Sequence, residues 1–286
     1  MGANRIDDIF AQQRGRGGRA LMPFVTAGDP SLDVTAGILR AAQAAGAAVC
    51  EVGIPFSDPI ADGPVIQASM QRALDAGLEV AEVFEKVAEV RPQVEALGLV
   101  AMVSYSIVHR IGLAAFVGQA RDAGLDGFIF PDLPLEESGP ARAAAADAGL
   151  VLSMLIAPTT PIDRAEAIAA ASTGFVYVVS RPGITGARSA LPASLPARLT
   201  RLRAVTQLPM AVGFGISTAA QVREVVEVAD AAIVGSALVG RVNDLVTRGS
   251  GQEAVVAGAG EMIRELATGL DVSTRQDAAG SAPAAP

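Results

Sequence analysis

The sequence predicts an α/β protein folded as a closed (β/α)8 TIM barrel, with an extra N-terminal helix and a disordered C-terminal tail. Three observations lead there. Short apolar runs recur along the chain, eight in all. The segments between them carry apolar residues three and four apart, the period of an amphipathic helix. Many of those segments close on Ala-Gly or Asp-Ala-Gly directly before the next apolar run, a helix C-terminal signal. Strands that alternate with helices form a parallel sheet with crossover helices. Eight such units in roughly 250 residues match the closed barrel. An open doubly wound sheet would announce a nucleotide site with GxGxxG after its first strand. Here that position reads "TAGDPS".

The elements follow in order. "NRIDDIFAQQR" forms a helix ahead of the first strand and is expected to plug the bottom of the barrel. The eight strand runs are residues 20–26, 48–56, 98–106, 127–132, 150–157, 174–180, 209–215 and 231–237. "DVTAGILRAAQAAG" and "LAAFVGQARDAG" exemplify the helices between them. The interval 57–97 is unusually long and holds a loop plus helical stretches. The last residues, "DVSTRQDAAGSAPAAP", are small, polar and Pro-rich, and predict disorder. The expected organisation is one barrel domain over residues 1–270 and a tail over 271–286.

Composition narrows the function. The chain has 286 residues, 51% of them hydrophobic, enough for a large core. Its formal net charge of −8 disfavours nucleic acid and anionic membrane surfaces. The N-terminal stretch lacks a long apolar run, which argues against a signal peptide or a membrane span. Cys50 is the single cysteine and has no partner for an internal disulfide, which fits a reducing compartment. A cytoplasmic location is the expectation. His109 is the single histidine, so a site built from several histidines is excluded. Lys86 is the single lysine. It lies on the polar side of the helical pattern "VAEVFEKVAEV" and reads as a surface charge. His109 reads as a loop or surface residue, and Cys50 as a small core residue.

Catalytic groups of such barrels sit at the C-terminal ends of the strands and in the loops that follow. Side chains alternate along a strand. In the second strand Val49, Glu51, Gly53 and Pro55 share one face, while Cys50, Val52 and Ile54 share the other. The second set suits contact with helices. Glu51 therefore points into the barrel, with Gly53 leaving open space beside it. Two readings fit it: a structural carboxylate satisfied by nearby donors, or an acid–base group whose pKa burial raises. Asp58 precedes Pro59 and suits a turn. Asp62 precedes Gly63-Pro64 and suits either a turn or chemistry. A buried and a loop carboxylate can act as a pair, one protonated and one ionised.

Late in the chain, "AVGFGIST" and "AIVGSALVG" are glycine-bearing strand ends that lead into helix starts. Such barrels often bind phosphate there, through backbone N–H groups at helix N-termini. Gly215, Gly235 and Ser236 are the natural donors. "RPGITGARS" adds Gly183 and Gly186 in a candidate lid.

Seven motifs in barrel order carry a resemblance: "PFVTAGDP", "EVGIPFSDPIADGPVIQ", "PDLPLEES", "APTTP", "SRPGITGAR", "GFGIS" and "IVGSALV". Together they resemble the alpha subunit family of tryptophan synthase, over about residues 4–268. That resemblance implies a lyase that cleaves indole-3-glycerol phosphate to indole and glyceraldehyde 3-phosphate, a reverse aldol reaction of tryptophan biosynthesis. It implies Glu51 as the acid–base residue and Asp62 as the carboxylate that binds the indole N–H. It implies Phe24, Phe175, Tyr177 and Phe214 in the substrate pocket, and Gly186, Gly215, Gly235 and Ser236 as phosphate binders. No cofactor is implied for this chain. The family's partner is a beta subunit that carries PLP, and an alpha2beta2 tetramer follows by resemblance, with indole passing between subunits. The chain departs from the family pattern where Ser104 replaces a pocket-side tyrosine and Ser106 an asparagine near the subunit contact; Arg181-Pro182 is a milder change. Two other readings are a related phosphosugar barrel and a non-catalytic homologue that binds a phosphosugar or activates a partner. The synthase that forms indole-glycerol phosphate needs catalytic lysines, and this chain has only Lys86. The presence of both Glu51 and Asp62 opposes the non-catalytic reading.

Overall fold

The computed structural model describes residues 4–59, 62–180, 192–213 and 215–271. Its strands are β1 (Ala20–Thr26), β2 (Val49–Gly53), β3 (Gly98–Met102), β4 (Gly127–Ile129), β5 (Val151–Ser153), β6 (Leu155–Ile156), β7 (Val176–Val179), β8 (Met210–Gly213) and β9 (Ala231–Val234). They form one sheet in the order β5-β4-β3-β2-β1-β9-β8-β7-β6. The pairs are parallel throughout. β5 and β6 are two pieces of the single run expected over 150–157, interrupted at Met154. The two ends of the sheet order are thus consecutive in sequence, and the sheet wraps into a barrel. The interruption is satisfied locally. The Thr173 hydroxyl accepts from Leu152 N at 2.8 Å, and the Ser172 hydroxyl from Met154 N at 3.2 Å. These contacts take up buried N–H groups that would otherwise be costly to leave unpaired.

Side-chain parity divides the apolar residues into two layers. Met22, Val49, Val100, Ile129, Val151, Tyr177, Ala211 and Ile233 pack together inside the barrel. Leu21, Cys50, Val52, Leu99, Phe128, Val178, Val212 and Ala232 face the helices. The expected faces of the second strand hold, with Cys50, Val52 and Ile54 all in the outer layer.

Apart from β1, the strands end earlier than their apolar runs. β3 stops at Met102 because Ser104 caps a helix over Tyr105–Ile111 by accepting from Ser106 N. His109 lies exposed near the end of that helix. The long interval contains helices Pro64–Asp75 and Val80–Val90. Lys86 sits on the second of these and pairs at the surface with Asp33 and Glu89.

The N-terminal helix, Arg5–Gly15, closes the barrel floor as expected. Ile6 and Phe10 are buried beneath the inner layer, and Phe10 meets Phe175 with ring centroids 5.9 Å apart. Arg5 pairs with Asp126 and Arg14 with Asp230. Each aspartate also accepts from a backbone N–H, of Leu99 and Met210 respectively, at 2.8 Å. Among the described residues no helix is long and apolar enough to cross a membrane. The expected tail lies, from residue 272 onward, outside the described residues.

Candidate active site

The barrel mouth holds a cavity lined among others by Phe24, Glu51, Asp62, Tyr177, Gly215, Gly235 and Ser236. Residues from distant parts of the chain meet there because parallel strands all present their C-terminal ends on one side.

Glu51 is central. Its strand register sets it beside Phe24 of β1 and Val100 of β3. It is 1% exposed, and neither carboxylate oxygen has a hydrogen-bond partner among the described residues. The structural reading of Glu51 calls for such partners, and none is found among the described residues. Burial raises its pKa well above the usual carboxylate range, and the nearby Asp62 charge raises it further. A carboxyl in an apolar setting favours its protonated form, which suits Glu51 to act as an acid.

Asp62 comes from the loop after β2, just ahead of helix Pro64–Asp75. Its pKa is raised by burial to about 6, so it is largely ionised at neutral pH. The pair therefore comprises one protonated and one ionised carboxyl, in a shared cavity. Asp58 does not line this cavity and is hydrogen-bonded to the Ser57 hydroxyl at 2.6 Å.

Phe24 and Tyr177 form apolar walls. The space that Gly53 leaves is filled by the Phe24 ring, since a Cβ on residue 53 would collide with it. The expectation of open space beside Glu51 is corrected accordingly: glycine there accommodates an aromatic wall. Gly213 plays the same part for the Tyr177 hydroxyl. Burial holds the Tyr177 phenol well above its usual pKa, and the Glu51 and Asp62 charges add to this, so it stays protonated.

Phe175 is placed elsewhere. It shares the inward face with Tyr177, as parity predicts, yet it lies in the layer below, against Phe10, and does not line the cavity. Two residues along a strand are displaced by roughly 6.6 Å. A common face is therefore not a common depth, and the expectation of Phe175 in the pocket is corrected. Phe214, Gly183 and Gly186 lie outside the described residues, as do Arg181 and Pro182.

Gly235 is the N-cap of helix Ser236–Thr247, with Ser236 its first residue. N–H groups of a helix's first turn have no intrahelical acceptor and favour an anion. Gly215 has φ +87°, a conformation open chiefly to glycine. All three residues reach the cavity that holds the carboxylates.

Sequence reasoning missed several of the remaining wall residues: Ile66, Met102, Pro131, Leu155 and Ile233. Met102 and Ile233 had a usable signal, since each lies at the inward parity of its strand. Ile66 had none, because the helix that carries it lies over the mouth only in three dimensions. A second cavity adjoins the first and shares Asp62, Met102 and Pro131 with it. Ser104 and Ser106 line this second space. The Ser104 hydroxyl also donates to Asp132 at 2.6 Å, and Asp132 accepts from Tyr105 N at 2.8 Å.

The comparisons with known proteins agree with this geometry. A family model described as tryptophan synthase alpha chain matches residues 10–269. The tryptophan synthase alpha chain of Rhodopirellula baltica is 46% identical over 276 residues, covering 94% of this chain and 99% of that one. The one from Chloroflexus aggregans is 45% identical over 268 residues, covering 94% and 98%. Among solved structures, tryptophan synthase subunit alpha from Legionella pneumophila superposes with a TM-score of 0.86 at 32% identity, covering 94% and 99%. A Mycobacterium tuberculosis tryptophan synthase gives 0.84 at 32% identity, covering 94% and 98%. By sequence and fold, the chain belongs to the tryptophan synthase alpha chain family.

Proposed function

We propose that Glu51 and Asp62 carry out, in this chain, the lyase reaction of its family: cleavage of indole-3-glycerol phosphate to indole and glyceraldehyde 3-phosphate. The observation that carries the proposal is Glu51 itself, fully buried and without a hydrogen-bond partner among the described residues, in the cavity it shares with Asp62 and a helix N-terminus. Glu51 starts protonated and gives its proton to indole C3. The ring becomes cationic, and Asp62 stabilises it by accepting a hydrogen bond from the indole N–H. Glu51, now ionised, takes the proton of the glycerol hydroxyl next to the breaking bond. That oxygen becomes the aldehyde carbonyl, the electrons of the carbon–carbon bond return to the ring, and Glu51 is protonated again. The reaction closes its own proton balance and calls for no cofactor in this chain.

Gly215, Gly235 and Ser236 bind the phosphate through backbone N–H groups, with Gly186 assigned to the same anion by the family motif. Phe24 and Tyr177 flank the indole, with Phe214 assigned there by motif. Indole leaves through the adjoining cavity toward a beta subunit that carries PLP. The assembly is an alpha2beta2 tetramer in the cytoplasm. The supports for the exit route are the shared walls at Asp62, Met102 and Pro131.

The deciding experiment is an indole-release assay on Glu51→Gln, with and without the beta subunit. The amide keeps the shape and removes the acid–base function. Activity should fall by at least roughly 10²- to 10⁴-fold, the usual contribution of a general acid–base group. Near wild-type turnover in this variant would refute the assignment. Absence of indole release from the unaltered protein under both conditions would refute the activity.

A further inference from the structure

Asp62 differs from Glu51 in how it is held. Glu51 is fixed by strand pairing on both sides, through Phe24 and Val100. Asp62 stands on a loop, yet its hydrogen bond to substrate requires a fixed position. The structure supplies three bonds around it. Asp62 N donates to Pro59 O at 3.0 Å. The Gln67 side-chain amide then donates to the same two residues, to Asp62 O at 2.8 Å and Pro59 O at 3.3 Å. Both partners are carbonyl oxygens, so the amide nitrogen must be the atom that faces them.

These contacts do not cap the helix. Capping by a side chain in the first turn supplies an acceptor to exposed N–H groups. Gln67 does the reverse, donating to carbonyls outside helix Pro64–Asp75. Its bonds therefore tie Pro59 and Asp62 to the helix. The helix in turn is a rigid base. Arg72 makes two bonds to the buried Asp29, at 2.9 and 2.7 Å. Ser69 and Thr26 share a buried hydroxyl contact of 2.6 Å. Ile66 and Met70 pack against Phe24. Gln67 is thus the link between a fixed helix and a catalytic loop residue.

We infer that Gln67 is a positioning residue for Asp62, holding it in the geometry that the indole N–H requires. The inference rests on the role given to Asp62 above. Loss of the link should impair transition-state stabilisation more than ground-state binding. Gln67 is exposed, so its replacement leaves the core untouched.

The test is a double-mutant cycle with the full-length chain and its beta subunit, with indole release read at enzyme concentrations that resolve residual rates. Gln67→Ala should lower kcat by roughly 10- to 100-fold, the range expected for misplacing a catalytic group, with KM close to wild type. In the Asp62→Asn background the same change should alter kcat by no more than about twofold, because its target is already removed. Circular dichroism and urea titration of each variant establish that the fold is retained. Equal losses from Gln67→Ala in both backgrounds would overturn the inference, as would wild-type kcat in Gln67→Ala beside a strong loss in Asp62→Asn. Full activity in Asp62→Asn would instead remove the role of Asp62, and this inference with it.

Discussion

Two carboxyl groups share one cavity and differ in protonation because they differ in setting. Glu51 has no donor among the described residues and is fully enclosed, which favours its protonated form. Asp62 sits at the cavity edge and titrates near 6. The proposed roles, Asp62 ionised and Glu51 protonated, set the sign of the expected pH dependence. Asp62 acts ionised, so kcat/KM falls as pH drops below about 6. Glu51 acts protonated, so kcat/KM falls again as pH rises through its raised pKa. A bell-shaped profile of kcat/KM for indole release is expected, reporting apparent values of the coupled pair. Asp62→Asn should lose the acidic limb and keep the alkaline one. An unchanged acidic limb in that variant would assign it to another group. Glu51's inward face was legible from alternation alone. Its lack of partners was not, because that depends on what Phe24 and Val100 bring from other strands.

The helix Pro64–Asp75 shows how an element far from the reacting atoms sets the site. It supplies Ile66 to the cavity wall and follows directly on Asp62. Its attachment depends on Asp29, whose side chain is 3% exposed and whose ion-pair partner is Arg72. Arg72→Met would leave that carboxylate buried without its counter-charge. Because one side of Arg72 reaches water, the expected loss is about 2–3 kcal/mol, at or below the lower end for broken buried pairs. Urea unfolding of the variant against wild type measures it, and an unchanged midpoint would show that the pair does not anchor the helix. The helix itself was legible as periodicity within 57–97. The ion pair was not, since residues 29 and 72 show no local pattern that joins them.

At the scale of the whole molecule, the barrel is closed at one end and functional at the other. The N-terminal helix seals the floor through Ile6 and Phe10, and its arginines reach Asp126 and Asp230 on two sides. Phe10→Ala should cost about 3–5 kcal/mol, the usual range for truncating a buried phenylalanine. Its urea midpoint should fall, while KM for indole-3-glycerol phosphate stays unchanged in the folded protein. A shift in KM would show that the floor communicates with the mouth. The fate of Phe175 follows from the same arrangement: its ring completes the floor with Phe10 instead of the pocket with Tyr177.

The sequence by itself determined the strand and helix alternation, the inward face of Glu51, and the helix starts that present Gly235 and Ser236. These are local properties, written in periods of two and of about 3.6 residues and in the placement of glycine. The motifs separated Asp62 from Asp58. Only the tertiary structure decided depth and partnership. It set Phe175 a layer below Tyr177, filled the space at Gly53 with Phe24, left Glu51 without a donor among the described residues, and tied Asp62 to Gln67. The reason is that alternation fixes which way a side chain points. What it meets there depends on strands and helices brought in from elsewhere in the chain.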